Sequence, residues 1–448
     1  MGSEMCIRDR NIYAFKGASV KFIRRFEADY KSRPAFLIEN YRSTSHIISA
    51  ANAVIESARE RMKVDHSIRV NRARSRDPQG GKWERLDPVA RGRVQILPAG
   101  CDTVSQAQTV MAEFARLQSL SSDWDWSGCA VIARKWEDLD PVRSFCEVHG
   151  IPVQMGNEEP PSFWLLREIQ AFVKWVRGQK SGIVSGGDLG GWFDMQMPGY
   201  WNNLLREAID EYVLETGGAE TPWVHFIEWL AEWGHQIRRR QRGLLLLSAH
   251  SSKGLEFDHV VVLDGDWNHT GSSNDVDEER RLYYVAMTRA KKTLALACLE
   301  KPNQLQDALL GDASLILREP VKLPDESAEL RNRFSRLNLS DVNLGFAGSK
   351  DARHSLHRSI STLSPEDPLK TRVVNGRWEL LDRSGTLVGQ LAKKFIPPDG
   401  MRCDSATVFA IVTWSRDISD PQYQDRIMCD EWEVVVPELV FKPKREGF

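Results

Sequence analysis

The chain has 448 residues, 42% hydrophobic and 27% charged, the balance of a folded protein too long for one ordinary core, so two or three structural units are expected. Its formal net charge of -2 supplies no global attraction to nucleic acid, so any such site must be a local basic or aromatic feature. No apolar run is long enough for a membrane span, and seven cysteines without a C-x-x-C pair or a secretory signal fit reduced thiols in a cytoplasm.

Residues 1–10 have neither the apolar core of a signal peptide nor any periodicity, and they look like translated adaptor sequence; a non-native or disordered leader is expected there. After a strand-like stretch from Ala35 to Ile38, apolar residues at Ile47, Ile48, Ala51, Val54, Ile55, Ala58 and Met62 recur at the spacing of an amphipathic helix. Residues 63–90 are rich in Arg, Asp, Pro and Gly and read as an exposed connection. A strand near Arg93 to Leu97, a helix over Ser105 to Leu117, a strand at Cys129 to Ala133, a helix over Pro141 to His149 and a strand at Ile151 to Val153 then alternate as in a parallel sheet. The fold class is α/β.

Residues 159–240 are helical in tendency and carry seven tryptophans, from Trp164 to Trp233, most of them expected in a core; this stretch reads as an insertion. Strand patterning returns at Leu244 to Leu247 and His259 to Leu263, followed by a helix over Glu278 to Ala290 and a strand over Thr293 to Cys298. Residues 318–365, rich in Pro, Ser, Asp and Arg, read as a linker, and residues 366–448 as a small β-rich domain with strands at Arg377 to Leu381, Leu387 to Leu391, Val408 to Trp414 and Trp432 to Val436.

Four segments carry chemistry. Asn11-Ile-Tyr-Ala-Phe-Lys-Gly-Ala18 sets two rings beside a lysine, suited to stacking unpaired bases while neutralising their phosphate. Asn40-Tyr-Arg-Ser43 places Arg42 just after a strand, where a guanidinium can project into a cleft. Ser248-Ala-His-Ser-Ser-Lys-Gly-Leu-Glu-Phe257 joins two strands through a turn that Gly254 permits. Glu278-Glu-Arg-Arg-Leu-Tyr-Tyr-Val-Ala-Met-Thr-Arg-Ala290 is a helix with Arg280, Arg281 and Arg289, where arginine forks suit a transferring phosphoryl group; for Arg280 and Arg281, beside Glu278 and Glu279, a solvated or salt-bridged helix face is an equal reading.

In that order, and with an insertion between the second and third, these strings resemble superfamily 1 helicases of the UvrD, Rep and PcrA type. The resemblance implies a RecA-like parallel-sheet motor domain over 35–158 and 241–317, the 159–240 insertion in the place of an accessory domain, and residues 11–34 as a remnant of the first motor domain. It implies Arg42 and Arg289 as γ-phosphate sensors, and Glu256, Gly254 and Lys16 at the nucleotide. It also implies Tyr13, Phe15, His250 and Ser251 on single-stranded DNA, with ATP, Mg2+ and single-stranded and duplex DNA as cofactors and partners. The tail resembles the end of bacterial proteins joining a RecQ-type to a UvrD-type helicase, and it shows no carboxylate and lysine set for a two-metal nuclease.

The sequence contains no G-x-x-x-x-G-K-[ST] loop and no acidic magnesium box; Gly80-Gly-Lys82 is followed by Trp83 and lies in a loop-like stretch. The expectation is therefore a chain truncated at its N-terminus, lacking the first motor domain and the magnesium ligands, silent in ATP hydrolysis alone, and of 3′ to 5′ polarity by resemblance. The rival readings are an ATPase-silent DNA-binding module and a subunit that completes a separate ATPase in trans.

Overall fold

The computed structural model describes residues 29–31, 38–58, 67–193, 195–196, 199–237, 240–267, 276–301 and 303–444. Helices run in chain order as α1 (Ser45–Glu56), α2 (Thr103–Ser119), α3 (Asp140–His149), α4 (Arg167–Arg177), α5 (Gly186–Phe193), α6 (Tyr200–Thr216), α7 (Trp223–Ile237), α8 (Val276–Met287) and α9 (Ser355–Ser361). The chain divides into two compact units, one holding residues up to Asn157 with Gln241–Asn332, the other Glu158–Arg240 with Arg333 onward.

In the first unit seven strands, β1 (Val94–Pro98), β2 (Cys129–Ala133), β3 (Val153–Met155), β4 (Leu244–Ser248), β5 (Phe257–Val262), β6 (Ala290–Cys298) and β7 (Leu315–Leu317), form one sheet. Their order is β7-β1-β6-β5-β2-β4-β3 and every pairing is parallel. A parallel sheet is covered on both faces, so its strands are apolar throughout rather than alternating. The run Cys129-Ala-Val-Ile-Ala133 is buried at every position. Alternate side chains nevertheless enter different cores: Ala130, Ile132, Val260 and Val262 pack with α1 and α8, while Val131, Ala133 and Val261 pack with α2 and α3. The helix starts are set locally, as at α2, where Asp102 and Ser105 form a reciprocal cap. Gly150 in the left-handed region ends α3 just before β3.

The second unit carries the antiparallel sheet β8 (Arg333–Arg336), β9 (Pro368–Val374), β10 (Arg377–Leu381), β11 (Leu387–Gln390), β12 (Met401–Ser415) and β13 (Glu431–Pro443), in the order β8-β13-β12-β9-β10-β11. The β9–β10 hairpin turns on Asn375-Gly376, both at positive φ, the pair a tight turn requires. One hydrophobic core runs from Phe172, Trp192, Trp201 and Phe226 of the helices to Val408, Val412, Val436 and Phe441 of the sheet. The Trp201 indole donates to the Phe409 carbonyl at 3.0 Å, tying α6 to β12. Of the seven tryptophans, Trp192, Trp201 and Trp233 are buried and the others line that core partly exposed.

Two expectations about organisation are overturned. Residues 318–365 are not a linker: the segment contributes β8 and α9 and buries Leu330, Leu337, Val342, Ala347, Leu356, Ile360 and Leu363. The 159–240 insertion and the 366–448 tail are not separate domains, because neither the helices nor the sheet bury their apolar faces without the other. Smaller differences concern extents. The helix expected from Arg42 is Ser45–Glu56, the strand expected over Ala35 to Ile38 lies outside the described residues save for Ile38, and a two-residue strand, Glu39–Asn40, pairs with Arg69–Val70 inside the expected loop.

Candidate active site

Three of the four motif segments meet at the amino-terminal ends of β5 and β6. The Asn40 side chain accepts from the backbone N–H groups of Arg42 and Ser43 at 2.8 and 2.7 Å, folding the segment into a tight turn. The buried Ser43 hydroxyl then donates to the Ala290 carbonyl at 2.7 Å, and the Thr44 N–H to the Lys291 carbonyl at 3.2 Å. From the other side the Phe257 N–H donates to the Arg289 carbonyl at 2.9 Å. Segments from 40–44, 255–257 and 288–291 are thus joined by main-chain bonds and the Ser43 hydroxyl.

At this junction Arg42 forms an ion pair with Glu256, both part-exposed, at 33% and 44% of their side-chain surface. Arg289 is different: it is 1% exposed, and its guanidinium donates to the Val285 and Leu255 carbonyls, each at 2.9 Å, and to the Thr288 hydroxyl at 3.3 Å. Of the two arginines expected at the γ-phosphate, Arg42 is part-exposed, whereas Arg289 clasps the carbonyl next to Glu256. That division was not readable from the string Thr288-Arg289-Ala290.

The turn after β4 places the other expected residues. The Ser248 hydroxyl meets the Ser251 hydroxyl at 2.9 Å, and Ser252 is buried with its hydroxyl on the Ala249 carbonyl. Ser251 is exposed and His250 partly buried at the carboxyl end of β4, while Gly254, at φ +90°, turns the chain back toward Glu256. The structure therefore brings Arg42, Glu256, Gly254 and Arg289 together and leaves His250 and Ser251 at the start of the same loop. Tyr13, Phe15 and Lys16 lie outside the described residues. Arg280 donates to the Val54 carbonyl at 3.0 Å, joining α8 to α1, and Glu279 takes a two-pronged bond from Arg134, both contacts 2.8 Å.

Beside Glu256 lies a cleft of about 160 Å³, lined among others by Trp83, Asp258, His259, Lys291 and Lys292. Burial works against the Asp258 carboxylate, but Lys292 at 2.6 Å and Lys291 at 3.0 Å outweigh it and hold its pKa below the ordinary value. Burial pushes His259 down to about 4, and the ring stacks on Trp124 and hydrogen-bonds Thr293 at 2.8 Å. Sequence reading missed this floor because Trp83 sits in a stretch whose composition signals a loop. Beyond the carboxyl ends of β2 and β5, burial and the neighbouring Asp266 raise Asp138 to about 6. Among the described residues no group of three or more His, Cys, Asp or Glu is disposed to hold a metal ion.

A doubly covered parallel sheet with arginine and glutamate gathered at strand ends defines an α/β domain with a polar site on its loops. Residues 230–301, which contain the Ser248–Phe257 and Glu278–Ala290 strings, match the UvrD-like helicase C-terminal domain. The chain is 29% identical over 321 residues to the ATP-dependent DNA helicase UvrD2 of Mycobacterium tuberculosis, covering 64% of this chain and 42% of that protein. It is 25% identical over 356 residues to the putative ATP-dependent DNA helicase YjcD of Bacillus subtilis, covering 65% and 47%. The chain thus spans less than half the length of these relatives. A solved C-terminal domain of a possible DNA helicase from Lactobacillus covers 62% of this chain and 99% of its own, at 13% identity and a TM-score of 0.30, a likeness too loose to bear on the fold.

Proposed function

We propose that this chain is the second motor half of an ATP-dependent DNA helicase, reading the γ-phosphate of ATP with Arg42 and the nucleotide sugar with Glu256. The observation that carries the reading is the Arg42–Glu256 pair on a junction of three motif segments. An exposed pair of this kind stabilises the fold by only about 0–1 kcal/mol, so a ligand can exchange it at little cost. Glu256 would turn to accept from ribose hydroxyls, and the freed Arg42 fork would meet the negative charge that shifts in phosphoryl transfer.

The buried Arg289 holds the Leu255 carbonyl through that exchange and transmits it to α8 through the Val285 carbonyl. Tyr13 and Phe15 would stack unpaired bases with Lys16 beside them at the nucleotide, and His250 and Ser251 would touch the same strand. Magnesium, when bound with ATP, would neutralise the phosphate oxygens; its ligands and the phosphate-binding loop are expected on a first motor domain, and polarity is 3′ to 5′ by resemblance.

The test is ATP hydrolysis on single-stranded DNA by the chain alone and mixed with a polypeptide carrying the phosphate loop and acidic box. Hydrolysis should appear only on mixing and fall about 10³-fold with Arg42→Ala, the scale of a γ-phosphate arginine. Hydrolysis by the chain alone overturns the dependence on a first domain, and an unaffected Arg42→Ala mixture overturns the sensor role.

A further inference from the structure

Residues 69–76, Arg-Val-Asn-Arg-Ala-Arg-Ser-Arg, place four arginines in eight positions with no carboxylate among them. The segment is anchored: Arg69–Val70 pairs in parallel with Glu39–Asn40, the Asn71 amide donates to Glu39, and Arg74 reaches the Ser43 carbonyl at 3.4 Å and Asp77 at 3.3 Å. Arg69, Arg72 and Arg76 are exposed, and among the described residues none has a carboxylate partner. In a chain whose charges nearly cancel overall, three unneutralised guanidinium groups on an anchored backbone are a local electrostatic feature.

The chemistry of the segment narrows its partner. It offers forked donors matched to phosphate oxygens and has no aromatic residue between Arg69 and Arg76; the one neighbouring exposed ring, Tyr41, is tethered by its hydroxyl to Glu39 at 3.0 Å, on the carboxylate that also takes the Asn71 amide. Three forks against one tethered ring make recognition chiefly a matter of phosphates, which fits a duplex backbone, whose bases are hidden, better than a single strand. Its place also differs from that of the motif residues. Ser43 ties this side of the unit to the start of β6, whereas His250 and Ser251 follow the carboxyl end of β4 in the same parallel sheet.

We propose that Arg69, Arg72 and Arg76 form a sequence-independent contact to the phosphodiester backbone of double-stranded DNA, separate from the single-strand residues. This deepens the helicase reading and rests on it: the strip holds duplex while the His250 turn engages the unwound strand.

The experiment is equilibrium binding of the whole chain to a labelled duplex and to a labelled oligo-dT strand across salt concentrations. It compares the native chain, the triple variant Arg69→Gln/Arg72→Gln/Arg76→Gln, and a charge-matched control, Arg377→Gln/Arg383→Gln/Arg402→Gln, with circular dichroism to verify folding. Each lost contact to B-DNA lowers the slope of log affinity against log salt by about 0.9, so the triple variant should flatten the duplex slope by about 2 to 3. Duplex affinity at low salt should fall at least about ten-fold, while oligo-dT binding and the control variant stay unchanged. An unchanged duplex slope, or an equal fall with oligo-dT, overturns the duplex strip and leaves the single-strand reading standing. A native chain that binds neither DNA overturns both.

Discussion

Replacing Arg289 with alanine separates a structural clasp from a ligand sensor. The guanidinium is 1% exposed and makes two 2.9 Å bonds to carbonyls, those of Val285 and Leu255. Hydrogen bonds from a charged donor contribute about 1.5–3 kcal/mol each, and removing the donor leaves buried acceptors unsatisfied, so a loss of about 3–5 kcal/mol is expected. For a unit of this size that lowers the midpoint of thermal unfolding by roughly 10 °C. Arg42→Ala removes one part-exposed ion pair and should cost at most about 1 kcal/mol, a shift of a few degrees. Scanning calorimetry of both variants reads the difference directly. Equal midpoints for native protein and Arg289→Ala would refute the clasp, and a large drop for Arg42→Ala would show that its pair with Glu256 is structural rather than poised for exchange.

Three further outcomes are expected. Ser43→Ala removes the buried 2.7 Å bond to the Ala290 carbonyl and should destabilise by about 1–2 kcal/mol, read by denaturant titration; no change would mean the junction is held elsewhere. A chain ending at residue 365 should lose the helical unfolding transition as well as the β-sheet one, since both share a core; circular dichroism showing intact, cooperative 159–240 helices would contradict this. Stability should respond to pH with opposite signs at two buried groups. His259, depressed to about 4 by burial, is neutral when folded, so stability is lost as pH falls from about 6.5 toward 4. Asp138, raised to about 6, costs stability as pH climbs from about 4 through 6, and Asp138→Asn should remove that cost above pH 6 and have little effect near pH 4. A pH-independent gain in Asp138→Asn would exclude ionisation as its cause.

The parallel sheet was legible in the sequence because doubly covered strands such as Cys129 to Ala133 are short, continuous and β-branched, and because α1 repeats its apolar face over three turns. The second unit was not. Its 318–365 segment buries single residues, Leu337, Val342 and Ala347 among them, from irregular backbone, and no period of two or 3.6 marks such positions. Composition reports what surrounds them instead, which is why a packed segment reads as a linker. At the site, the order of the strings located Arg42, Glu256 and Arg289, but a string carries no information on exposure. Whether a guanidinium faces solvent or a main-chain carbonyl depends on the Leu255 loop folding back over α8, a tertiary fact.

The chain leaves the first unit after Asn157, returns at Gln241, and leaves again after Asn332. On a ribosome this order has a consequence: β4, β5 and β6 emerge only after the helices of the second unit, and those helices wait for strands that come last. For most of synthesis both hydrophobic interiors are half-built and open, with Trp192 and Trp201 waiting for Val436 and its strand. Such an interleaved chain gains little from folding as it is made, and its yield in a cell should depend on holding chaperones until residues near Phe441 have appeared.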